Sequence, residues 1–429
     1  MPDAPLPDTR PRLAIAYDIT ATSPMDLSTR LGHLCDLVWV VDRTDPRLGS
    51  MGRLLTRLGT VVDTVTDDGP LATSELVAAV AAAEVDGVAA YCDPQLVLAA
   101  TLASELGLVG NPLPVVERLN DKITQREALV AAGIPGPAFV RISAGTEVES
   151  TLDAIATLTY PLVVKPVHGD SSSNVTRVAD LDAFLAALDT TVGRAPSTDL
   201  IVEEYLGDRD RPDSALADYV SVEMIVQDAT PVPLAVTGKF PLEPPFRETG
   251  NFMPHPLEEA EAAAVLTLAV DAATALGVRS GALHTEIKLT PDGPRVIEVN
   301  GRVGGGAIDA IHQRVHGRSL TELAAAVALG HRVELVAEAP SRSDGPFSYE
   351  FFVQPPATAT TLRSLGPTEP ILGVAGARTA SANRSPGDAL DWRRGSQGYV
   401  LQVGGEAPDR ATLEAVPTAI TAAAAIEYD

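Results

Sequence analysis

The sequence predicts a mixed α/β and α+β fold, in which a parallel βαβ domain at the N-terminus precedes antiparallel strands. Apolar runs alternate with helical patterns as far as about residue 115, which is typical of a parallel sheet. Beyond that point, strand-like runs are separated by turn residues, which favours antiparallel pairing. The length of 429 residues is sufficient for about three domains of roughly 150 residues each.

The N-terminal unit, predicted to span residues 1–117, contains four buried strands and three helices. The strands are RLAIAYDI, DLVWVVD, TVVDTV and VDGVAAYCD, and the helices are MDLSTRLGHLC, SELVAAVAAAE and QLVLAATLASELG. No GxGxxG sequence follows the first strand, so a dinucleotide-binding site is not expected there.

The second unit, predicted to span residues 118–206, begins with the helix DKITQREALVAAG, for which Asp121 is the expected N-cap. A helix around residues 147–158 precedes YPLVVKPVHGDSSSNVTRV, a pattern typical of a strand, a polar loop and a second strand. The helix LDAFLAALDT and the strand LIVEEYLG complete this unit.

The third unit, residues 207–339, begins with the polar segment GDRDRPDSALAD, which we expect to be a surface loop. The strands YVSVEMIVQD and PVPLAVTGKF, an Ala-rich helix over about 258–276, a hairpin and the helix GRSLTELAAAVALG follow. The fourth unit, residues 340–429, is expected to form a small α+β subdomain. It contains the strand FSYEFFVQPP, a hairpin-like GYVLQVGG and a helix from about Asp409.

The hairpin HTEIKLTPDGPRVIEVN sorts its side chains onto two faces by alternation. With a three-residue loop from Pro291 to Gly293, Glu286 lies directly across from Glu298. Like charges that face each other across a hairpin are destabilising, so a function that needs two adjacent carboxylates is indicated. The core face comprises Ile287, Leu289, Ile297 and Val299, and the polar face comprises His284, Glu286, Lys288, Glu298, Asn300 and Arg302.

Composition excludes several classes of function. The net charge of −25 disfavours nucleic-acid binding, which requires a basic patch. No uninterrupted apolar run reaches about 18 residues, so no membrane span is predicted. The N-terminal MPDAPLPDTRPR lacks the apolar core of a signal peptide. Cys35 and Cys92 cannot form a disulfide framework, and we expect two packed, reduced thiols in a cytoplasmic protein.

The loop after Lys165 suits phosphate. A buried strand ends at this lysine, and a loop with Gly169, Asp170 and three serines follows. Backbone N–H groups in such a loop can approach phosphate oxygens, and the lysine supplies a point charge. The alternative is an ordinary Ser-rich loop beside a lysine that extends to solvent.

The polar face of the hairpin suits magnesium. Mg²⁺ binds oxygen ligands, commonly one or two carboxylates together with phosphate oxygens and waters. Glu286, Glu298 and the amide oxygen of Asn300 offer such ligands. The alternative is a solvated face on which Lys288 or Arg302 pairs with the acids.

Six segments, in this order, resemble the ATP-grasp ligases. They are NDKITQREALVAAGIPGPAF, YPLVVKPVHGDSSSNV, LIVEEYL, DYVSVEMIV, HTEIKL and EVNGRVGGG, and they cover roughly residues 118–332. Within that family, FRETGN and EVNGRVGGG resemble most the bacterial L-amino-acid ligases, the dipeptide-forming enzymes of the bacilysin-synthase type. The resemblance implies the ATP-grasp fold, preceded by the parallel domain and followed by the α+β subdomain.

The resemblance also implies an ATP site. Lys122 and Lys165 correspond to the family's two phosphate-binding lysines, and the loop over Gly169–Ser173 corresponds to a mobile flap. Glu203–Leu206 corresponds to the hinge whose backbone binds adenine, and the acid that holds the ribose is either Asp210 or Asp218. The nucleotide set is therefore Lys122, Lys165, Gly169, Ser171, Ser172, Ser173, Glu203, Glu204, Leu206, Asp210 and Asp218.

The catalytic groups follow from the same resemblance. Glu286, Glu298 and Asn300 correspond to the ligands of Mg²⁺, for which Mn²⁺ is an alternative. Arg302 corresponds to the arginine that meets the transferred phosphate and the substrate carboxylate, and Lys165 shares the neutralisation of charge.

One segment bears on the substrate. Glu248, in FRETGN, corresponds to an acid that approaches the amine of the amino acid. Asn251 stands where such enzymes often carry a histidine, so the identities of the substrates stay open.

The function implied is the ATP- and Mg²⁺-dependent joining of a carboxylate, an amino acid, to an amine, a second amino acid. The reaction passes through an acyl phosphate and releases ADP and phosphate. Two alternatives are a biotin-carboxylase-like enzyme that makes carboxyphosphate and a non-catalytic nucleotide-binding regulator. The expected partners are small-molecule carboxylates and amines, with a homodimer as an option and with neither nucleic acid nor a membrane.

Overall fold

The computed structural model describes residues 10–20, 22–49, 51–146, 148–194, 198–209, 215–339, 343–374 and 376–429. The helices within these ranges all fall short of the length and apolarity that a membrane span requires.

The N-terminal unit is built on a parallel four-stranded sheet of order β3-β2-β1-β6. Its strands are β1 (Arg12–Ala16), β2 (Asp36–Val41), β3 (Thr60–Asp63) and β6 (Gly87–Ala90), and β4 (Val65–Thr66) and β5 (Gly69–Pro70) form a separate short pair. Its helices are α1 (Pro24–Leu31), α2 (Met51–Leu58), α3 (Thr73–Ala82), α4 (Leu96–Glu105) and α5 (Leu113–Asn120), with 3₁₀ turns at Pro46–Leu48 and Asp93–Gln95.

A second, antiparallel four-stranded sheet has the order β7-β10-β8-β9. Asp121 caps the helix that leads into it, because its carboxylate accepts hydrogen bonds from the N–H groups of Ile123 and Thr124, as predicted. The elements are α6 (Lys122–Ala131), β7 (Phe139–Ile142), α7 (Val148–Ile155), β8 (Leu162–Pro166), β9 (Thr176–Val178), α8 (Leu181–Arg194) and β10 (Leu200–Glu204).

The third sheet has eight strands in the order β15-β14-β11-β12-β13-β16-β19-β18. Its strands are β11 (Tyr219–Gln227), β12 (Thr230–Lys239), β13 (Gly250–Met253), β14 (Gly281–Thr290), β15 (Gly293–Asn300), β16 (Phe347–Val353), β18 (Ala377–Ala382) and β19 (Leu401–Ala407). The strands predicted for the third and fourth units therefore share one sheet.

Helices and a small strand pair accompany this sheet. They are α9 (Glu259–Leu276), α10 (Ile308–His316), α11 (Leu320–Ala328), α12 (Glu369–Leu372), α13 (Arg410–Ala424), and the pair β17 (Leu362–Ser364) with β20 (Glu427–Tyr428), together with a 3₁₀ segment at Trp392–Gly398. The Ala-rich α9 packs on the sheet through buried residues such as Val265, Leu268 and Leu276, whose burial drives the contact.

The mixed α/β and α+β class is confirmed, and so are the predicted parallel sheet, the Ala-rich helix and the hairpin. Helices α2, α5, α10 and α12 were not predicted, because each has nine residues or fewer and short segments are hard to assign from periodicity. GYVLQVGG was wrongly predicted as hairpin-like: it contributes β19, which pairs with β16 and β18.

Candidate active site

A cleft of about 1280 Å³ runs between the small antiparallel sheet and the eight-stranded sheet, and it is also lined from the N-terminal unit. Most of the residues predicted from the sequence meet there. Asp210 lies outside the described residues, and Asp218 is not among the lining residues but contacts Lys288, which is one of them. The predicted residues that line it are Lys122, Lys165, Gly169, Ser171, Ser172, Ser173, Glu203, Glu204, Leu206, Glu248, Glu286, Glu298, Asn300 and Arg302.

The two hairpin glutamates lie opposite each other, as expected, although the predicted length of the hairpin loop is wrong. Thr290 pairs with Gly293, so the loop has two residues instead of three. A bulge next to Glu286 then adds one residue to β15 and restores the pairing of Glu286 with Glu298.

The bulge changes which side chains face the core. Ile287 pairs with Val296, and Val296 is fully buried in the core. Ile297 was predicted for the core face, but it lines the cleft. The extra residue of the bulge therefore gives the floor of the cleft an apolar side chain beside the carboxylates.

Lys122 is the first residue of α6, and its ammonium reaches across the cleft. Its Nζ lies 3.1 Å from Glu298 Oε1 and donates to the carbonyl oxygen of Gly169 at 2.8 Å. Burial alone would lower the pKa of Lys122, but Glu298, through its charge and a hydrogen bond, together with Asp93 and Glu203, raises it. The lysine is therefore a fixed cation that joins the hairpin to the loop.

Lys165 belongs to a buried ion triad. Glu203 accepts from Arg126 Nε at 2.7 Å through one oxygen and lies 2.7 Å from Lys165 Nζ through the other. Burial would raise the pKa of Glu203, but the two cations lower it to about 2. Arg126 was not identified from the sequence, and it also donates to the carbonyl oxygens of Val296 and Ile297.

The segment after Glu203 offers its backbone to the cleft. The N–H of Glu204 donates to Ala138 O, and that of Tyr205 donates to Pro161 O, both at 2.9 Å. For the N–H of Leu206, the described residues provide no partner. This donor is therefore free to meet a bound molecule, as a hinge for adenine requires.

Four acidic residues follow the hinge in the sequence 207–218: Asp208, Asp210, Asp213 and Asp218. Lys288 Nζ contacts both Asp208, at 2.7 Å, and Asp218. Asp208 also accepts from the Tyr205 hydroxyl at 2.5 Å. The resemblance implied Asp210 or Asp218 for the ribose, and Asp208, which follows the hinge more closely in sequence, was not considered. In the alternative reading of the hairpin, Lys288 or Arg302 pairs with the glutamates, whereas Lys288 contacts these aspartates.

The Gly/Ser loop lies against the C-terminal segment 392–398. Ser171 O accepts from the N–H of Ser396 at 2.7 Å, and the N–H of Asn174 donates to Arg393 O at 3.3 Å. A Cβ on Gly395 would lie 2.0 Å from Ser171 O, and Gly395 has a φ of +64°, so only glycine fits there. This contact was not predicted from the sequence.

His284 connects the hairpin to a buried acid on the neighbouring strand. Its Nδ1 lies 2.9 Å from Glu223 Oε2, and its Nε2 lies 3.6 Å from Glu286 Oε1. Burial would lower the pKa of His284, but Glu223 raises it to about 9. The imidazolium in turn keeps the pKa of Glu286 below its usual value although burial opposes this. Packing is tight, because a Cβ on Gly304 would lie 2.7 Å from His284 Nδ1.

Arg302 lies just beyond the end of β15, and it still lines the cleft. Its Nε donates to Asp93 Oδ2 at 2.7 Å, and its Nη1 donates to Val303 O at 3.2 Å. Burial would lower the pKa of Arg302, but Asp93 raises it above its usual value. Asp93 comes from the N-terminal unit and was not identified from the sequence. Cys92, its neighbour in sequence, also lines the cleft.

Glu248 is held in place by a buried lysine. Lys239 Nζ donates to Glu248 Oε1 at 3.0 Å, and the lysine side chain is fully buried. Burial, with Glu248 nearby, raises the pKa of Tyr219 well above its usual value. Asn251 is also buried, and its Nδ2 donates to Gly306 O at 2.9 Å, so it supports the glycine-rich turn.

No set of three or more His, Cys, Asp and Glu side chains within the described ranges could hold a metal ion. Glu286 and Glu298, with Asn300 beside them, could contribute two carboxylates to a metal whose other ligands come from a bound molecule. That division of ligands is the usual one for Mg²⁺ with phosphates.

Residues 158–310 match the family model described as an ATP-grasp domain. Alanine–anticapsin ligase of Bacillus subtilis (strain 168) is 28% identical over 239 residues, which are 52% of this chain and 50% of that protein. Carnosine synthase 1 of Homo sapiens is 28% identical over 270 residues, 59% of this chain and 32% of that protein. The chain thus matches about half the length of the first of these relatives.

The fold matches that of a solved structure along nearly its whole length. The L-amino acid ligase from Bacillus licheniformis superimposes with a TM-score of 0.72 at 20% sequence identity, covering 98% of this chain and 99% of that one. The chain therefore carries an ATP-grasp domain and has the ATP-grasp fold.

Proposed function

We propose that this ATP-grasp chain is an ATP- and Mg²⁺-dependent ligase that joins the carboxylate of one amino acid to the amine of a second. The observation that carries the proposal is the opposed pair Glu286 and Glu298, with Lys122, Lys165 and Arg302 around the same cleft. Two adjacent carboxylates and three cations are the groups required to bind a metal–polyphosphate and to neutralise a phosphoryl transfer.

The metal fits these residues as a ligand shared between protein and nucleotide. Glu286, Glu298 and the amide of Asn300 would hold it, and a bound Mg²⁺ would neutralise charge on the phosphate oxygens. Lys122 and Lys165 would bind the phosphates from the opposite side. The free N–H of Leu206 would bind adenine, and Asp208 or Asp218 would accept from the ribose.

The proposed reaction has two displacements. A carboxylate oxygen of the first substrate attacks the γ-phosphorus of ATP, and the bond to ADP breaks. The amine nitrogen of the second substrate then attacks the acyl carbon, phosphate leaves and the nitrogen loses a proton. Arg302 would orient the carboxylate and the phosphate together, because its planar fork can bind both.

Exclusion of water belongs to the same proposal. An acyl phosphate that meets water is hydrolysed and the ATP is wasted. The contacts of the Gly/Ser loop with Ser396 and Arg393 would keep the loop closed over the phosphates. Glu248, held by Lys239, would attract the ammonium of the incoming substrate. The substrates are small molecules, the expected compartment is the cytoplasm, and a homodimer stays an option.

Incubation with a pool of amino acids, ATP and Mg²⁺ tests the proposal, with ADP and amide products measured by mass spectrometry. We expect ADP in proportion to dipeptide product, and neither with Glu298→Gln. ADP that appears with bicarbonate alone would favour a carboxylase. No ADP under any condition would favour a regulator, and either result would overturn the ligase assignment.

A further inference from the structure

The basic side chains that line the cleft differ in their partners. Of the eight lysine and arginine side chains, six contact a carboxylate, five of them in pairs already described and the sixth as Arg30 Nη1 with Asp309 Oδ2 at 3.2 Å. The paired cations are Arg30, Lys122, Arg126, Lys165, Lys288 and Arg302.

Arg384 and Arg394 are the other two, and within the described ranges neither has a carboxylate partner. Other arginines also lack a carboxylate partner among the described residues, such as Arg118 and Arg318, which donate to backbone carbonyls, but those two do not line the cleft. Since no described carboxylate pairs with Arg384 or Arg394, their positive charge is available to a ligand in the cleft.

Arg384 is oriented without being neutralised. Its Nη2 donates to Gln397 O at 3.2 Å, and its Nη1 donates to Asn383 O at 3.4 Å. Both acceptors are backbone carbonyls, which fix the guanidinium but carry no formal charge. Arg384 also lies near Tyr399, which lines the cleft too. Burial raises the pKa of Tyr399, and the positive charge of Arg384 opposes that rise.

The segment that carries Arg394 is attached to the predicted amine site. Ser396 Oγ accepts from the N–H of Glu248 at 2.9 Å. Gln354 Nε2 donates to Glu248 O and to Ser396 O, at 2.8 Å each. The segment 392–398 therefore connects the backbone of Glu248 with Arg394, which it carries, and with Arg384, which donates to Gln397 O.

We infer that Arg384 and Arg394 bind the carboxylate of the amine-bearing substrate, the second amino acid of the proposed reaction. The inference rests on the proposed function. A zwitterion places its ammonium toward Glu248 and its carboxylate toward the arginines, whereas an amine without an anionic group leaves both guanidinium groups unpaired. The planar fork of arginine is suited to carboxylate geometry.

The test compares two amines of nearly the same shape, a free amino acid and its carboxamide, each at a pH where the same fraction of its amine is unprotonated. The parent should use the free acid with a kcat/KM about 10- to 100-fold higher, as expected for a hydrogen bond between charged groups. The double variant Arg384→Gln, Arg394→Gln should lose this preference and keep its rate with the carboxamide. That retained rate also shows that the variant is folded.

Arg378→Gln is the matched control, because Arg378 lies on β18 in the same region, faces Glu406 at 3.5 Å and does not line the cleft. It should behave as the parent does. Equal use of both amines by the parent would overturn this inference alone. The inference would also be overturned if the double variant still preferred the free amino acid, or if only its KM for ATP changed. If the parent makes no amide from any amine, the proposed function fails as well.

Discussion

Replacing Arg302 with lysine should reduce amide formation far more than ATP binding. The guanidinium is held by Asp93 through Nε and by the Val303 carbonyl through Nη1, while Nη2 has no partner within the described part of the chain. One nitrogen is therefore free for the reacting groups while the others fix its direction. A lysine ammonium attracted to Asp93 would keep the charge but not this geometry.

The expected magnitude follows from the loss of one charge-assisted hydrogen bond at the transition state. Such a bond is worth roughly 2–4 kcal/mol, or about 30- to 1000-fold in rate. ATP affinity should change much less, because Lys122, Lys165 and the free N–H of Leu206 remain in place.

The assay is a pair of measurements on Arg302→Lys and the parent: the Kd for ATP and the rate of amide formation at saturating ATP. Asp93→Asn is an informative companion, because it keeps the arginine and removes only the anion that orients it. We expect a smaller loss of rate there. The reasoning is refuted if Arg302→Lys weakens ATP binding severely and preserves the rate at saturating ATP.

Three further predictions concern the metal site, the loop and the buried triad. Glu298→Gln should abolish turnover and leave the chain folded, because a neutral amide is a poorer magnesium ligand of similar volume; near-normal turnover at saturating Mg²⁺ would contradict the metal assignment. Residues 169–174 should gain hydrogen-exchange protection when ATP and Mg²⁺ are added. The variant Gly395→Ala should not show this gain, because the alanine Cβ would lie 2.0 Å from Ser171 O and push the loop away. Equal gains in protection in the variant and the parent would contradict this prediction. Glu203 has a pKa of about 2 against an ordinary 4.5, so its stabilising effect, roughly 3 kcal/mol, is complete above about pH 4.5 and is lost as the pH falls toward 2. In urea unfolding, Glu203→Gln should have a lower free energy of unfolding than the parent at pH 7, and the difference between the two proteins should become smaller below pH 4.5. A difference that does not change with pH would refute this prediction.

The sequence predicted the elements that carry the site because their signals are local. Alternation and turn residues placed Glu286 opposite Glu298, and the N-cap preference of Asp121 placed Lys122 at the start of a helix. The pairing of the two glutamates was also predicted correctly because two errors cancelled. The loop is one residue shorter than assumed, and the bulge adds one residue to β15. Nothing in the local pattern reveals a bulge, and Ile297 was therefore assigned to the wrong face.

The partners of these residues could not be predicted because they are distant in the chain. Asp93 and Arg302 are separated by 209 residues, and Ser171 and Gln397 by 226. For Glu203, the hinge motif predicted a role for the backbone alone. Its side chain in fact forms ion pairs with Arg126 and Lys165. Such pairings depend on how the sheets are arranged in space, which periodicity does not report.

The central claim is that a substrate carboxylate receives the γ-phosphoryl group, and isotope transfer tests it most directly. The parent is incubated with ATP, Mg²⁺, an unlabelled amine and an amino acid labelled with ¹⁸O in both carboxylate oxygens. An acyl phosphate carries one labelled oxygen into the phosphate that leaves and keeps the other in the amide carbonyl. The account predicts one ¹⁸O atom in each phosphate released with amide product. Phosphate that contains no ¹⁸O would contradict it.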